Sequence, residues 1–196
     1  MQTITPDADG PHEFTYTFGE GTLPVVNTDG TVAVIQQVGN ATLTLGSIDK
    51  AWAVDAKGKA VTTSYRVKDG ALVQTISPSA RTVYPVVADP MFTYGRAVYM
   101  NLTGKEWGAL AAGMGATGVG ATTAACLGTK LPAAWAKAVG VACTLIGVST
   151  GITAFKSMLK DINDWKLTPS ACYQVQLAGV GGFRGTLAKV DAKNCL

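Results

Sequence analysis

Between Trp107 and Thr129 lie 23 residues without a charge, and between Ala138 and Phe155 another 18. Only Lys130, Pro132 and Lys137 interrupt this alanine- and glycine-rich block, and no other stretch constrains the fold as tightly. Thr103-Gly104-Lys105-Glu106 at its head fits a capping box, with the threonine hydroxyl and the glutamate carboxylate satisfying each other's backbone amides. The spacing predicts a helix from there to Leu127, with Gly128 just past its end. Along it Gly104, Gly108, Ala112, Ala116, Gly120, Ala124 and Gly128 recur every four residues. Pro132 suits the first position of a second helix. There Ala133, Gly140 and Gly147 recur every seven residues, and Gly147 and Gly151 form a further pair four apart. The short connection predicts antiparallel neighbours. Rows of small residues let helix backbones approach closely. The expected packing or membrane seam is therefore Gly108, Ala112, Ala116, Gly120, Gly140, Gly147 and Gly151. Each glycine in an exposed helix interior costs about 1 kcal/mol against alanine, so a packed partner or lipid must compensate. Ile152, Phe155, Leu159 and Ile162 then continue at helical spacing as an amphipathic, mildly basic end, which Thr168-Pro169 terminates.

Charge divides the chain. Residues 1–90 carry six basic and nine acidic side chains, net −3, and residues 91–196 carry ten and four, net +6. The basic half suits an anionic surface. Its lysines are scattered and its aromatics few, so nucleic acid is not expected as a partner. All four cysteines, Cys126, Cys143, Cys172 and Cys195, lie in this half without the spacing of a zinc or CxxC site. An even count of that kind predicts two disulfides and an oxidising compartment, with three pairings open. Cys126–Cys143 closes a short loop, and Cys172–Cys195 brackets the tail, where Tyr173, Val175 and Leu177 alternate with polar residues and Phe183–Val190 returns as a strand. These are the favoured pairs. The first residues, Met1-Gln2-Thr3-Ile4, lack a basic start and an apolar core, so the chain reads as the mature form of a secreted protein.

Before the block the pattern is β. Phe14, Tyr16 and Phe18 alternate with Glu13, Thr15 and Thr17. Asp29-Gly30 and Asp69-Gly70, each between apolar runs, predict hairpins with type I′ turns. Further short strands are expected at Ala41–Leu45, Ala51–Asp55 and Val83–Val87. Trp52-Ala53-Val54-Asp55-Ala56, Gly58-Lys59, Tyr65-Arg66-Val67 and Tyr84-Pro85-Val86-Val87-Ala88-Asp89-Pro90 together resemble an N-terminal region of exported actinobacterial proteins whose activity is uncharacterised. The resemblance covers residues 12–90. Asn101-Leu102-Thr103-Gly104-Lys105-Glu106 is similar to the start of a Gly/Ala-rich helical region in some of them, which cysteines and a β-rich tail follow. This chain departs from that pattern at several positions. The resemblance implies export and carries no catalytic residue.

The expected class is α+β. An N-terminal antiparallel β-sheet or sandwich domain (1–90) ends at Asp89-Pro90, a plausible cleavage point. A basic domain (91–196) follows, with a Gly/Ala-rich antiparallel helical hairpin and a disulfide-stapled C-terminal β-hairpin. His12 is the only histidine, which argues against Ser/His or Cys/His nucleophiles. Gly113–Gly118 mimics GxGxxG but sits inside an apolar helical run, away from any strand-to-helix turn. Asn40-Ala41-Thr42 and Asn101-Leu102-Thr103 match a glycosylation pattern that says little for a bacterial chain. No catalytic residue, metal site or cofactor is expected. Two functional classes follow. One is a secreted, non-enzymatic, bacteriocin- or toxin-like protein whose hairpin, kept soluble by the N-terminal domain, meets an anionic membrane or self-associates. The other is an extracellular or cell-envelope binding or structural module.

Overall fold

A computed structural model of the chain describes residues 3–39, 41–88, 90, 92–115, 126, 133–179 and 187–195. Its elements are β1 (Thr3–Thr5), β2 (Glu13–Tyr16), β3 (Thr22–Val26), β4 (Val32–Val38), β5 (Ala41–Ile48), β6 (Ala53–Val54), β7 (Thr62–Lys68), β8 (Ala71–Ser77), β9 (Val86–Ala88), β10 (Phe92–Thr103), α1 (Gly104–Gly115), α2 (Ala133–Ile146), α3 (Val148–Asp161), β11 (Cys172–Gly179) and β12 (Leu187–Lys189). The fold is mixed α+β. Its sheets run β1-β9-β6, β2-β8-β7 and β12-β11-β10-β5-β4-β3. The chain divides into two compact units, residues 1–34 with 47–93 and residues 35–46 with 94–196. The sequence placed the boundary at Pro90 and gave 35–46 to the first domain. That segment instead belongs to the second unit because β5 pairs beside β10. It carries no charge, so the −3 and +6 division stands. Asp89, the plausible cleavage point, lies outside the described residues.

In the first unit the two motifs of the resemblance meet. Ala53 and Val54 of one pair with Ala88 and Val87 of the other, and β1 flanks them with Thr3 opposite Ala88. Asp55 follows the first motif. One of its carboxylate oxygens accepts from the Lys57 and Lys59 amides, both at 2.9 Å, and the other from the Val83 amide at 3.3 Å. The motif aspartate thus ties its own turn to the segment that leads into the second motif. Gln74 on β8 is buried with its amide engaged: it accepts from Tyr16 Oη at 3.1 Å and donates to Thr63 Oγ1 and the Trp52 carbonyl. Tyr16, Val32, Val34, Ile48 and Leu72 make one core, and Ala53, Val61, Ile76, Val86 and Ala88 another.

The two Asp-Gly hairpins differ. Asp69 and Gly70 both have positive φ, 51° and 76°, as a type I′ turn requires. At the other, Gly30 alone is positive at 88°, and Gly30 N donates to Asn27 O while Asn27 N donates to Thr31 O. The turn is therefore centred on Thr28-Asp29, and Gly30 is the left-handed residue that follows it. Asp29 accepts from the Thr31 amide and hydroxyl. That local bond replaces the left-handed aspartate expected from the sequence.

In the second unit β10 and β11 pair antiparallel from Ala97 opposite Gly179 to Thr103 opposite Cys172, with an irregularity between Val98 and Tyr99. β11 pairs with β12, Val175 opposite Leu187. Leu43, Met100, Leu102, Tyr173, Val175 and Leu177 pack with Trp107 and Leu110 of α1, Ala138, Val139 and Ala142 of α2, and Phe155 and Met158 of α3. Asn101, Gln174 and Thr44 form a cross-strand polar chain: Asn101 Nδ2 donates to Thr44 Oγ1 at 2.6 Å and Gln174 Nε2 to Asn101 Oδ1 at 2.9 Å. Asn101 is buried, so it is no glycosylation acceptor in this fold.

The Asp55 contacts generate a pH prediction. The amide bonds, that from Lys59 foremost, hold its carboxyl below the ordinary 3.8. Its stabilising effect is present above that value and is lost as pH falls through the lower folded pKa. Asp55→Ala is expected to lower the melting midpoint at neutral pH, with the gap to the parent closing below about pH 4. A gap that stays constant down to pH 2 would refute this role.

Candidate functional site

The helical layer of the second unit is the candidate site, and it begins with no linker. β10 ends at Thr103 and α1 starts at Gly104. The expected capping box is present: Glu106 Oε2 accepts from Thr103 N at 2.8 Å and Thr103 Oγ1 at 2.6 Å, and Glu106 N donates to Thr103 Oγ1 at 3.3 Å. Two more amides of this first turn are satisfied from another segment, Gly104 N by the Ala171 carbonyl and Lys105 N by the Pro169 carbonyl. Gly104 lies so close to that segment that a Cβ would overlap the Thr168 carbonyl oxygen. One turn on, Trp107 is fully buried. Its Nε1 donates to the Tyr173 carbonyl at 3.2 Å, and Trp165 meets its ring edge-on at 6.1 Å. The Thr168 amide donates to Tyr173 Oη at 3.0 Å, which holds that hydroxyl below its ordinary pKa of 10.0.

The second predicted helix is two. Gly147, at φ 84°, breaks it between α2 and α3, a conformation that side-chain-bearing residues rarely adopt. The turn brings Gly151 against Cys143, whose Sγ would stand 2.8 Å from a Cβ built on the glycine. The periodicity runs through the break because the buried residues of both halves face one sheet, so the pattern alone concealed the corner. Around it Thr144, Leu145, Gly147, Val148, Ser149 and Thr150 are exposed, with Leu145 at 49% and Val148 at 44%. The Thr144 hydroxyl donates to the Gly140 carbonyl and that of Thr153 to the Ser149 carbonyl, so both are spent on their own helices.

The cysteines pair as favoured from the sequence, Cys126 with Cys143 and Cys172 with Cys195. The second bridge fastens the first residue of β11 just beyond the end of the short helix Ala192–Asn194. The small residues of the expected seam do not act alike. Gly151 is a true close approach. Gly108 and Ala112 are exposed, and a Cβ at Gly108 or Gly140 would meet nothing within 4 Å among the described residues. Gly147 serves as a break, and a Cβ there would meet nothing within 4 Å among the described residues. Ala116 and Gly120 lie outside the described residues, as do the first helix's expected end at Leu127, the loop after it and the tail turn near Gly181. Gly104 was read as one of the row, whereas it meets a loop carbonyl.

His12 Nε2 stands 3.5 Å from Tyr84 Oη. Among the described residues no group of three His, Cys, Asp or Glu side chains is placed to hold a metal, and no helix is long and apolar enough to cross a membrane. Comparison with protein-family models, curated proteins and solved structures returned no match.

Alanine substitutions separate the glycines by role. Gly104→Ala and Gly151→Ala are expected to lose about 1–3 kcal/mol, because the added carbon meets backbone or the buried bridge. Gly108→Ala and Gly140→Ala should be neutral or gain up to about 1 kcal/mol from helix propensity. Urea midpoints measure both. A large loss at Gly108 or Gly140 would restore the seam.

Proposed function

We propose that this chain is a secreted, non-enzymatic module of the cell exterior, whose apolar helical block is its own core and whose two disulfides lock that core in place. The observation that carries the reading is the burial of Ala138, Val139, Ala142, Phe155 and Met158 from the block against Met100, Leu102 and Val175 of the sheet. A bacteriocin- or toxin-like hairpin would have to strip those residues from the sheet and straighten the corner at Gly147 before crossing a bilayer. Exposing even two large side chains of such a core costs about 3–6 kcal/mol. The paired cysteines suit an oxidising exterior, in keeping with the resemblance to exported proteins. A chain with a single histidine, whose Nε2 faces the Tyr84 hydroxyl at 3.5 Å, suits a binding or structural role better than His-based catalysis. The chemistry of its surroundings follows from charge: a +6 unit favours anionic envelope components.

The test uses the oxidised full chain. Anionic vesicles loaded with a self-quenching dye should keep their contents at micromolar protein. Replacing both Cys172 and Cys195 by Ser should remove about 3 kcal/mol of stability, given a loop of 23 residues. Rapid dye release by the oxidised chain would overturn the reading, as would an unchanged urea midpoint after full reduction.

A further inference from the structure

We infer that the corner between α2 and α3 is a docking tip for an anionic phospholipid bilayer, seating Leu145 and Val148 among the headgroups without inserting the helices. The inference names a partner for the module proposed above and rests on that reading for its location outside the cell. Scattered exposed aliphatics are ordinary on protein surfaces, but these two differ in setting. They flank a glycine that breaks the helix, and both are exposed where other large apolar residues of the layer, Trp107, Leu110, Phe155 and Met158, are buried with the sheet. Their exposed neighbours Thr144, Gly147, Ser149 and Thr150 are uncharged, and the hydroxyls of Thr144 and Thr153 are bonded to helix carbonyls. The tip therefore presents apolar surface with no charge to desolvate, and the small Ser149 and Thr150 hydroxyls can stay hydrated at headgroup level.

The charges arrange themselves around this tip. From Ala138 to Phe155 there are none, and the first on either side are Lys137 and Lys156, followed by Lys160; the first acid is Asp161. Each flanking lysine lies eight residues from its tip residue, about 12 Å along a helix at 1.5 Å per residue. Interfacial helices bury their apolar side about 5–10 Å into the headgroup boundary. At that depth Lys137, one helix segment back on α2, is near enough to phosphate level for its long side chain to reach it. Lys137 is exposed, and the unit as a whole carries +6, so approach to an anionic leaflet is favoured before the tip makes contact. An acidic protein would meet the same charge but would leave the two aliphatics at the end of the layer without an apolar counterpart, which is why the bilayer is the favoured occupant.

Co-flotation of the oxidised full chain with vesicles tests this directly. The parent should float with phosphatidylglycerol-containing vesicles and not with pure phosphatidylcholine. The Leu145→Asp/Val148→Asp double variant should bind at least about tenfold more weakly, while its melting midpoint stays at the parental value because both positions are exposed. Lys137→Glu should also weaken binding, and more so at low ionic strength. The inference is overturned if the double variant floats like the parent, which would mean that net charge alone holds the protein. It is equally overturned if the parent floats with neither vesicle, or with both alike. Dye leakage from vesicles that bind the protein would count against the proposed function instead, so the two failures are told apart.

Discussion

The second unit depends on one junction, where a strand becomes a helix without an intervening residue. Thr103 ends β10 opposite Cys172 and caps α1 at the same time. Gly104 then has to lie against the Thr168 carbonyl, a place with no room for a side chain. Only with that approach do the Gly104 and Lys105 amides find the Ala171 and Pro169 carbonyls. The same approach sets Trp107 down on Tyr173, where its indole N–H has an acceptor and its ring has Trp165 as a neighbour. A buried indole without that acceptor would lose about 1–3 kcal/mol. Cys172–Cys195 fastens the strand at the residue facing the junction, so a covalent bond, a cap and the largest core side chain all act within one turn of chain.

The rest of the apolar block follows from this anchor. A helix layer on a sheet needs one apolar face per helix, and alanines and glycines elsewhere let the layer sit thin and close. Gly151 shows what such closeness requires, since it admits the Cys143 sulfur of the neighbouring helix. At Gly108 and Gly140 an added Cβ would meet nothing among the described residues, so there the glycines are a local weakness with no close approach to offset it. On the strands, Asn101, Gln174 and Thr44 alternate with the core residues and bond to one another across three strands. Polar groups satisfied in this way fix register, because a slip of one residue would drive amides into the helix-covered face.

Much of this was legible in the sequence, and unevenly so. The capping box, the Asp69-Gly70 turn, the strands of the first unit other than β1 and both favoured cysteine pairs are properties of residues close in sequence, whereas β1 lies in a start that reads as a loose tail and is a strand only through its pairing with β9. The Asp29-Gly30 turn was misread because Thr31 competes for the aspartate and shifts the turn by one residue. The helix break at Gly147 was missed for a different reason: periodicity records which face is buried, and both halves bury theirs against the same sheet. The tip of the β4–β5 hairpin was assigned to the wrong unit because its partner, β10, lies about a quarter of the chain away. In the candidate site, small residues at regular spacing suggested a seam, but spacing does not say what stands opposite.

What the sequence by itself determined was local and covalent: where helices start, where tight turns need glycine, which cysteines are near enough to close short loops, and how charge divides the chain. These depend on backbone conformation and short reach, which neighbouring residues set. What only the tertiary structure decided was the meaning of the apolar block, with some of its glycines as contacts, one as a corner and others as neither. That distinction depends on atoms brought together from distant segments, such as Thr168 against Gly104, and no pattern along the chain encodes which distant atom arrives.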